Sequence, residues 1–340
     1  MRTDDLPAQE ICEHFDLGQP SGFTGLGGTR NSNFRLTTDH GNWIVRRRYE
    51  GYCAPDRITF DHSAADFLAR NGAPVIPPIK DSEGNSYWNR DGIVWEVYRF
   101  IEGRHLRDGD QSDVDALAQA LSRFHGVGRE FPRRCEKIGP RGETDPANIM
   151  ERIDRIQHES PDAADILTSY RTALASAAAE LSDENYASLP HTLVHGDVQP
   201  ANLIIADGRV AAFVDLDWIA WRPRIYDFGW AILCCCASHK TPIGEGDIWS
   251  LSQSPLLAPQ VLHSFVKAYG DLTDSEIKAL GPQVVLTWVH VRIGLALKAA
   301  PEERAAFLSR RAVPTASYDA SVVDKRIRSL IGMLEATRTI

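Results

Sequence analysis

Residues 20–48 alternate apolar and polar side chains in the manner of strands, through SGFTGLGG, NSNFRLTT and NWIVRRR. DHG, from Asp39 to Gly41, reads as the hairpin turn between the last two. The period then lengthens. From about Arg57 to Arg70, Ile58, Phe60, Ala64, Phe67 and Leu68 share one face of a helix, which NGAPVIPPI stops through Gly72 and three prolines. SYWNRDG and IVWEVYRFI return to strand patterning, and IEGRH at Ile101 to His105 reads as a connector. Beyond it, SDVDALAQALSRFHGV is an amphipathic helix with Ser112 as candidate cap. A loop rich in Pro, Arg and Gly covers 128–146, and ANIMERIDRIQ and AADILTSYRTALASAAAELS are helical again. NLIIA, the turn at Asp207 and Gly208, and RVAAFVD form a second hairpin. After it the pattern is helical to the end, broken near Ser252 to Pro259 and around Pro314. The whole predicts an α+β chain of two lobes: a small mixed β-sheet lobe over 1–101 and a mainly helical lobe over 102–340. Chemistry is expected in the cleft between them.

Composition narrows the partners. With 340 residues, a net charge of −9 and a pI near 5.7, a nucleic-acid or anionic-membrane surface is disfavoured. MRTDDLPAQEICEHF lacks the apolar core of a signal peptide, and no apolar run approaches the ~20 residues of a membrane span. The expected location is cytoplasmic, as a monomer or homodimer. Cys234, Cys235 and Cys236 are adjacent within WAILCCCA, so they point around a helix and cannot together clamp one metal. They read as small hydrophobes of a buried helix.

One stretch is chemically distinctive: HGDVQPANLIIADGRVAAFVDLD, from His195 to Asp217. Asp197 and Asn202 lie five residues apart on a predicted loop, and Asp215 follows thirteen residues later. The hairpin in between returns the second carboxylate to the first. Phosphoryl transfer needs such a set: one carboxylate to orient and deprotonate an acceptor hydroxyl, and an amide oxygen with a second carboxylate to hold Mg²⁺ on nucleotide phosphates. Singly, Asp and Asn shape turns; the combination, with His195 and Gly196 in front, carries the reading. Asp217 lies two residues past Asp215, on the same side if the strand continues, as a metal ligand or an acceptor contact. Trp218 and Trp221 are candidates for an acceptor floor or for core. Arg222 and Arg224 are expected to pair with Asp227, and His125 to pack at a helix end.

HGDxxxxN followed by a strand-borne Asp resembles the aminoglycoside phosphotransferase and choline kinase superfamily, small-molecule relatives of the protein kinases, whose loop reads HRDxxxxN. The resemblance covers nearly the whole chain and implies a bilobal protein-kinase-like fold. It implies Asp197 as catalytic base, Asn202 and Asp215 as Mg²⁺ ligands, and ATP or GTP as donor. In the family a strand lysine contacts the phosphates and pairs with a helix glutamate. Here Arg46 and Asp61 stand at the matching positions, with Arg47 and Arg48 adjoining. Arg differs from Lys in reach and Asp is shorter than Glu, so this is a departure. GLGGTRNSN stands where the phosphate-covering loop belongs, although it fits neither GxGxxG nor GxxxxGK[ST]. Gly27 and Gly28 let backbone amides approach an anion, with Thr29, Asn31 and Ser32 as further donors. The connector is expected to offer backbone groups near Arg99 and Ile101 to a purine edge. By the same resemblance His195 supports the catalytic loop, and Asp227 braces its backbone.

The implied partners are a nucleoside triphosphate and a small hydroxylated acceptor. HGDVQPAN with FVDLDW resembles the antibiotic and hexosamine branch, so an antibiotic or sugar acceptor, inactivated by phosphorylation in the first case, is the leading expectation. FDLGQPSGFTGLGGTRNSNFRL resembles the opening of homoserine kinase-like members, which makes a metabolite acceptor the alternative. An inactive member that only binds nucleotide is the rival from another class.

Overall fold

A computed structural model describes residues 6–28, 30–132, 134–135, 137–239, 256–270 and 272–309. The chain opens on a short helix, α1 (Ala8–Phe15), which the strand patterning that follows does not announce. Its Ile11, Cys12 and Phe15 are buried against one face of the first sheet, with Phe34, Leu36, Trp43, Val45, Trp95 and Val97. That sheet holds β1 (Pro20–Gly27), β2 (Ser32–Thr38), β3 (Gly41–Arg47), β4 (Trp88–Arg90) and β5 (Ile93–Arg99), all antiparallel, in the order β1-β2-β3-β5-β4. Helix α2 (Pro55–Arg70) crosses over between β3 and β4, with Pro55 in its first turn. Its apolar face, Phe60, Ala64, Ala65 and Leu68, packs not with the α1 cluster but with the core of the helical region.

After the connector, β6 (Arg104–His105) leads to α3 (Gln111–Gly128). The expected cap Ser112 lies inside this helix; the cap is Asp110, whose carboxylate accepts from the Asp113 amide and the Ser112 hydroxyl. An ionised carboxylate is the stronger acceptor for first-turn amides. The next elements are α4 (Pro146–Glu159), α5 (Ala164–Glu180) and α6 (Asp183–Ala187). Then come β7 (His191–Val194), β8 (Leu203–Ala206), β9 (Arg209–Phe213) and β10 (Ala220–Pro223). The β8–β9 hairpin turns at Asp207 and Gly208, with φ of 50° and 70°, and β6 pairs with β8, so the connector is stitched to it. Helix α7 (Ile225–Ala231) continues into a π-helical turn, Ile232–Cys236, followed by β11 (Ala237–Ser238) and β12 (Leu256–Leu257). The three adjacent cysteines are buried in that turn as small apolar groups.

Helices α8 (Pro259–Tyr269), α9 (Asp274–Ala296) and α10 (Arg304–Ser309) complete the described chain. A capping box, Thr273 with Glu276, starts α9, and Trp288 from its buried length stacks on Tyr170 of α5. The predicted breaks near Ser252 and Pro314 lie outside the described residues. The molecule is thus a mixed α+β fold, a β-sheet region followed by a helical one. Among the described residues no helix is long and apolar enough to cross a membrane.

Candidate active site

Strand β7 delivers His195 to Asn202 at the edge of the helical region, and one carboxylate sets their backbone. Asp227, in the first turn of α7, accepts from the amides of His195 (2.7 Å) and Gly196 (2.8 Å), and His125 Nε2 donates to it at 3.0 Å. Tyr269 closes this buried set through His125 Nδ1 at 2.9 Å. Arg222 and Arg224, expected on Asp227, go elsewhere: Arg224 forks onto buried Glu276, and Arg222 donates to the Gly139 carbonyl. Asp227 is already occupied by two amides and an imidazole.

His195 has no access to solvent. The Asp197 amide donates to its Nδ1 (3.2 Å), so the proton sits on Nε2, which donates to the Val214 carbonyl at 3.0 Å. Burial pulls its pKa below the ordinary value, against the pull of Asp227, and keeps it neutral. It ties the 195–202 loop to the segment between β9 and Asp215. Asp197 itself is half-buried, and its Oδ2 accepts from Gln199 Nε2 (2.8 Å) and Asn202 Nδ2 (2.9 Å). Burial, then the charge of Asp215, pushes it up to about 7. Asn202 donates again to the Asp197 carbonyl at 2.9 Å, which commits its NH₂ and leaves its amide oxygen for a cation.

Asp215 follows β9 in a left-handed conformation, φ 62° and ψ 64°, an uncommon state for a residue with a side chain. Its side chain is 41% exposed and meets Arg46 Nη1 at 3.1 Å. Burial and then the charge of Asp217 push its pKa up to about 6, against the pull of Arg46. Among the described residues no three His, Cys, Asp or Glu side chains converge as a metal cage. One exposed carboxylate and one uncommitted amide oxygen fit a Mg²⁺ ion that takes its remaining oxygens from nucleotide phosphates and water.

The arginines differ from expectation. Arg46 in β3 and Arg48, one residue past its end but still bonded through its amide to Val94, fall on one side by the period of two. Arg46, 7% exposed, bonds Glu96 (2.6 Å), Tyr98 (3.0 Å), Asp215 (3.1 Å) and Asp217 (3.1 Å), not Asp61. It is Arg48, nearer α2, that pairs with Asp61 while also holding Glu96 at 2.7 Å. Glu96 is fully buried directly across the strands from Arg46, and His62 meets it at 2.9 Å. Burial would raise Glu96, but Arg46, His62 and Arg48 hold it well below the carboxylate range.

Asp217 is directed at the sheet region. One oxygen faces Arg46 and Arg48, the other accepts from Asn31 at 2.7 Å, and its carbonyl takes Arg57 (2.9 Å) and Lys137 (2.7 Å). Both carboxylate oxygens are thus engaged by side chains of the sheet region. Trp218 belongs to the same region, packed edge-on to Tyr52 at 5.6 Å with Arg57 and Arg30 beside it. Trp221, in β10, instead carries Arg134 at 5.0 Å and lines an open cavity of about 800 Å³ with Lys137 and His191.

In the glycine-rich loop, Gly27 and Gly28 have φ of 78° and 142°, and a side chain at Gly28 would meet the Asn31 carbonyl oxygen at 2.1 Å. Asn31 bridges Asp217 and the Tyr49 amide, and Ser32 opens β2 opposite Arg47. Thr29 lies outside the described residues. Arg99 is exposed at the end of β5 with its guanidinium 5.7 Å from the Trp43 ring, and Ile101 is half-buried in the connector. Glu96 and Lys137 were missed in the sequence, while Arg48, named there as a neighbour of Arg46, is the arginine that meets Asp61. A lone Glu inside the apolar run IVWEVYR was the available signal for the first.

Residues 24–279 match the model of the phosphotransferase enzyme family. A homoserine kinase of Phenylobacterium zucineum is 27% identical over 236 residues, covering 69% of this chain and 70% of the relative. An aminoglycoside phosphotransferase from Alicyclobacillus acidocaldarius superposes with a TM-score of 0.67 at 14% identity, over 99% of this chain and 97% of that one. The amicoumacin kinase hAmiN, in complex with AMP-PNP, Ca²⁺ and Ami, gives 0.64 at 15%, over 96% and 93%. Both share the bilobal protein-kinase-like architecture.

Proposed function

The chain belongs to the phosphotransferase enzyme family and is a small-molecule phosphotransferase acting on a hydroxyl. From that premise we propose that it moves the γ-phosphoryl group of ATP, with Mg²⁺, to a small amino alcohol of the homoserine type. The observation that carries the reaction is the hydrogen-bonded pair of Asp197 and Asn202 facing the exposed carboxylate of Asp215. Asp197 orients the acceptor hydroxyl and takes its proton, and a pKa near 7 matches that task at neutral pH. Asn202 and Asp215 would hold Mg²⁺, which neutralises phosphate charge when bound. Arg46, already beside Asp215, is placed to meet phosphate oxygens, and the 27–31 loop to cover them. The backbone at Arg99 to Ile101 would receive the base. Residues 1–101 would clasp the nucleotide and 102–340 supply the base and the acceptor site.

The acceptor class rests on the relatives: homoserine kinases match two-thirds or more of the chain in sequence, whereas the antibiotic kinases share the fold. HGDVQPAN and FVDLDW keep an antibiotic or sugar acceptor as the second reading. A coupled nucleoside-diphosphate release assay decides, offering ATP and GTP against homoserine, choline, hexosamines, aminoglycosides and nucleoside antibiotics. Turnover with homoserine or a close amino alcohol, abolished by Asp197→Asn, is the expected result. Turnover confined to antibiotics or sugars installs the second reading. Nucleotide binding with no turnover on any acceptor leaves the binding-only alternative.

A further inference from the structure

The loop between α3 and α4 sends one cation into the sheet region. Lys137 has a side chain only 6% exposed, and its Nζ lies 2.5 Å from Asp61 Oδ1 on α2. The same ammonium donates to the Asp217 carbonyl at 2.7 Å, two residues past Asp215. The Phe60 ring lies 5.8 Å away, and the Lys137 backbone is held at a φ of 55°. Holding a lysine there is expensive: burial pulls its pKa down to about 8 although Asp61 opposes the shift. Asp61 also receives Arg48, which holds Glu96. An unbroken line of charges therefore runs from β5 through β3 to α2, and from α2 through Lys137 to the metal-bearing turn.

We propose that Lys137 is a positioning residue for phosphoryl transfer, pinning the Asp215 turn and helix α2 to the loop after α3. Arg46 does not reach Asp61; Arg48 does, and it also lies 3.5 Å from Asp217 Oδ1, which ties helix α2 to the turn from the sheet side. Arg57, from the first turn of α2, reaches the same carbonyl at 2.9 Å and joins helix to turn. Lys137 adds the third body, the helical region. The buried ammonium carries three donors, and the Asp217 carbonyl takes one that Asp61 does not.

The inference rests on the proposed reaction, and its test includes a readout without turnover. Lys137→Met, Lys137→Arg and Asp61→Asn are compared for kcat, both KM values, the Kd of Mg·AMP-PNP by calorimetry, and thermal unfolding. In folded Lys137→Met, a displaced turn lowers kcat about 100-fold and weakens Mg·AMP-PNP binding about tenfold, with acceptor KM little changed. Lys137→Arg recovers part of both. Lys137→Met that is folded and within about twofold of wild type in kcat and Kd overturns the proposal. So does a loss of activity that follows the unfolded fraction alone. Should Lys137→Met not fold, Asp61→Asn, which keeps the lysine but removes its anchor, must lower kcat and weaken binding in the same way. A wild type silent on every acceptor refutes the acceptor reading, while the Mg·AMP-PNP comparison still decides the role of Lys137.

Discussion

A side chain at residue 196 has nowhere to go: its first carbon would lie 2.4 Å from the Trp218 carbonyl oxygen, at a φ of 86°. The glycine of HGD is thus a steric requirement of packing the 195–202 loop onto the Asp215–Trp218 turn. Gly196→Ala is expected to cost about 1–3 kcal/mol of stability and, by displacing Asp197, about 100-fold in activity. Thermal unfolding and the release assay read the two losses separately. Asp197 makes a second prediction. Its folded pKa of about 7 lies above the unfolded value, so between roughly pH 4 and 7 the native state binds more protons than the unfolded one. Its contribution to metal-free stability therefore falls as pH rises through that window. Asp197→Asn is expected to melt higher than wild type at pH 8 and to lose that advantage at pH 4; an equal difference at both would refute the assignment. In wild type, kcat/KM should climb with pH and level off above about 7, as the base loses its proton. Much of this site was legible because Asp197, Asn202 and Asp215 are fixed by a short loop and a tight hairpin, whose lengths are printed in the sequence. The partners of Arg46 and Asp61 were not. They depend on how deep a helix sits against a sheet, which no local spacing records.

At the scale of elements, β3, β5 and α2 are joined by charge where an apolar contact would be usual. Glu96 serves two buried arginines, one in β3 and one just past its end, and a histidine of α2. Removing its charge strands both guanidinium groups, so Glu96→Gln is expected to destabilise by about 3–5 kcal/mol, measured by denaturant unfolding. A change below 1 kcal/mol would mean that Asp217 and Asp61 suffice. Sequence patterning found these elements because the periods of two and near four persist across each of them. It missed α1, whose eight residues give only two turns of pattern. It misplaced the α3 cap because Asp110 and Ser112 both carry a capping oxygen within one turn. In α9 burial on nearly every side erases the stripe, and Trp288 fills the gap to Tyr170 at 5.3 Å. Trp288→Ala should cost about 3–5 kcal/mol and leave KM values unchanged.

At the scale of the whole molecule, the described residues form two apolar cores. The smaller lies between α1 and the first sheet; the larger fills the helical region and takes in the apolar face of α2. The sheet therefore meets the rest of the chain through ion pairs, the connector and the glycine-rich loop, and a nucleotide would add contacts across that seam. Mg·ATP at 100 times its Kd is expected to stabilise by about 2.7 kcal/mol, with ATP in excess chelator giving a smaller rise in melting temperature. Equal rises would remove Mg²⁺ from the site. The six free thiols happen to be divided between these regions. Cys12 is buried in the small core, Cys234 to Cys236 in the large one, and Cys53 and Cys135 are only half-covered. Burial raises the pKa of Cys12, Cys235 and Cys236, so the native protein shields them from alkylation twice, by access and by ionisation. An alkylating reagent thus meets a built-in clock: two thiols mark time zero, one reports the opening of the small core, and three report the opening of the large. The mass of each labelled peptide against time gives the order in which the two halves of this enzyme come apart.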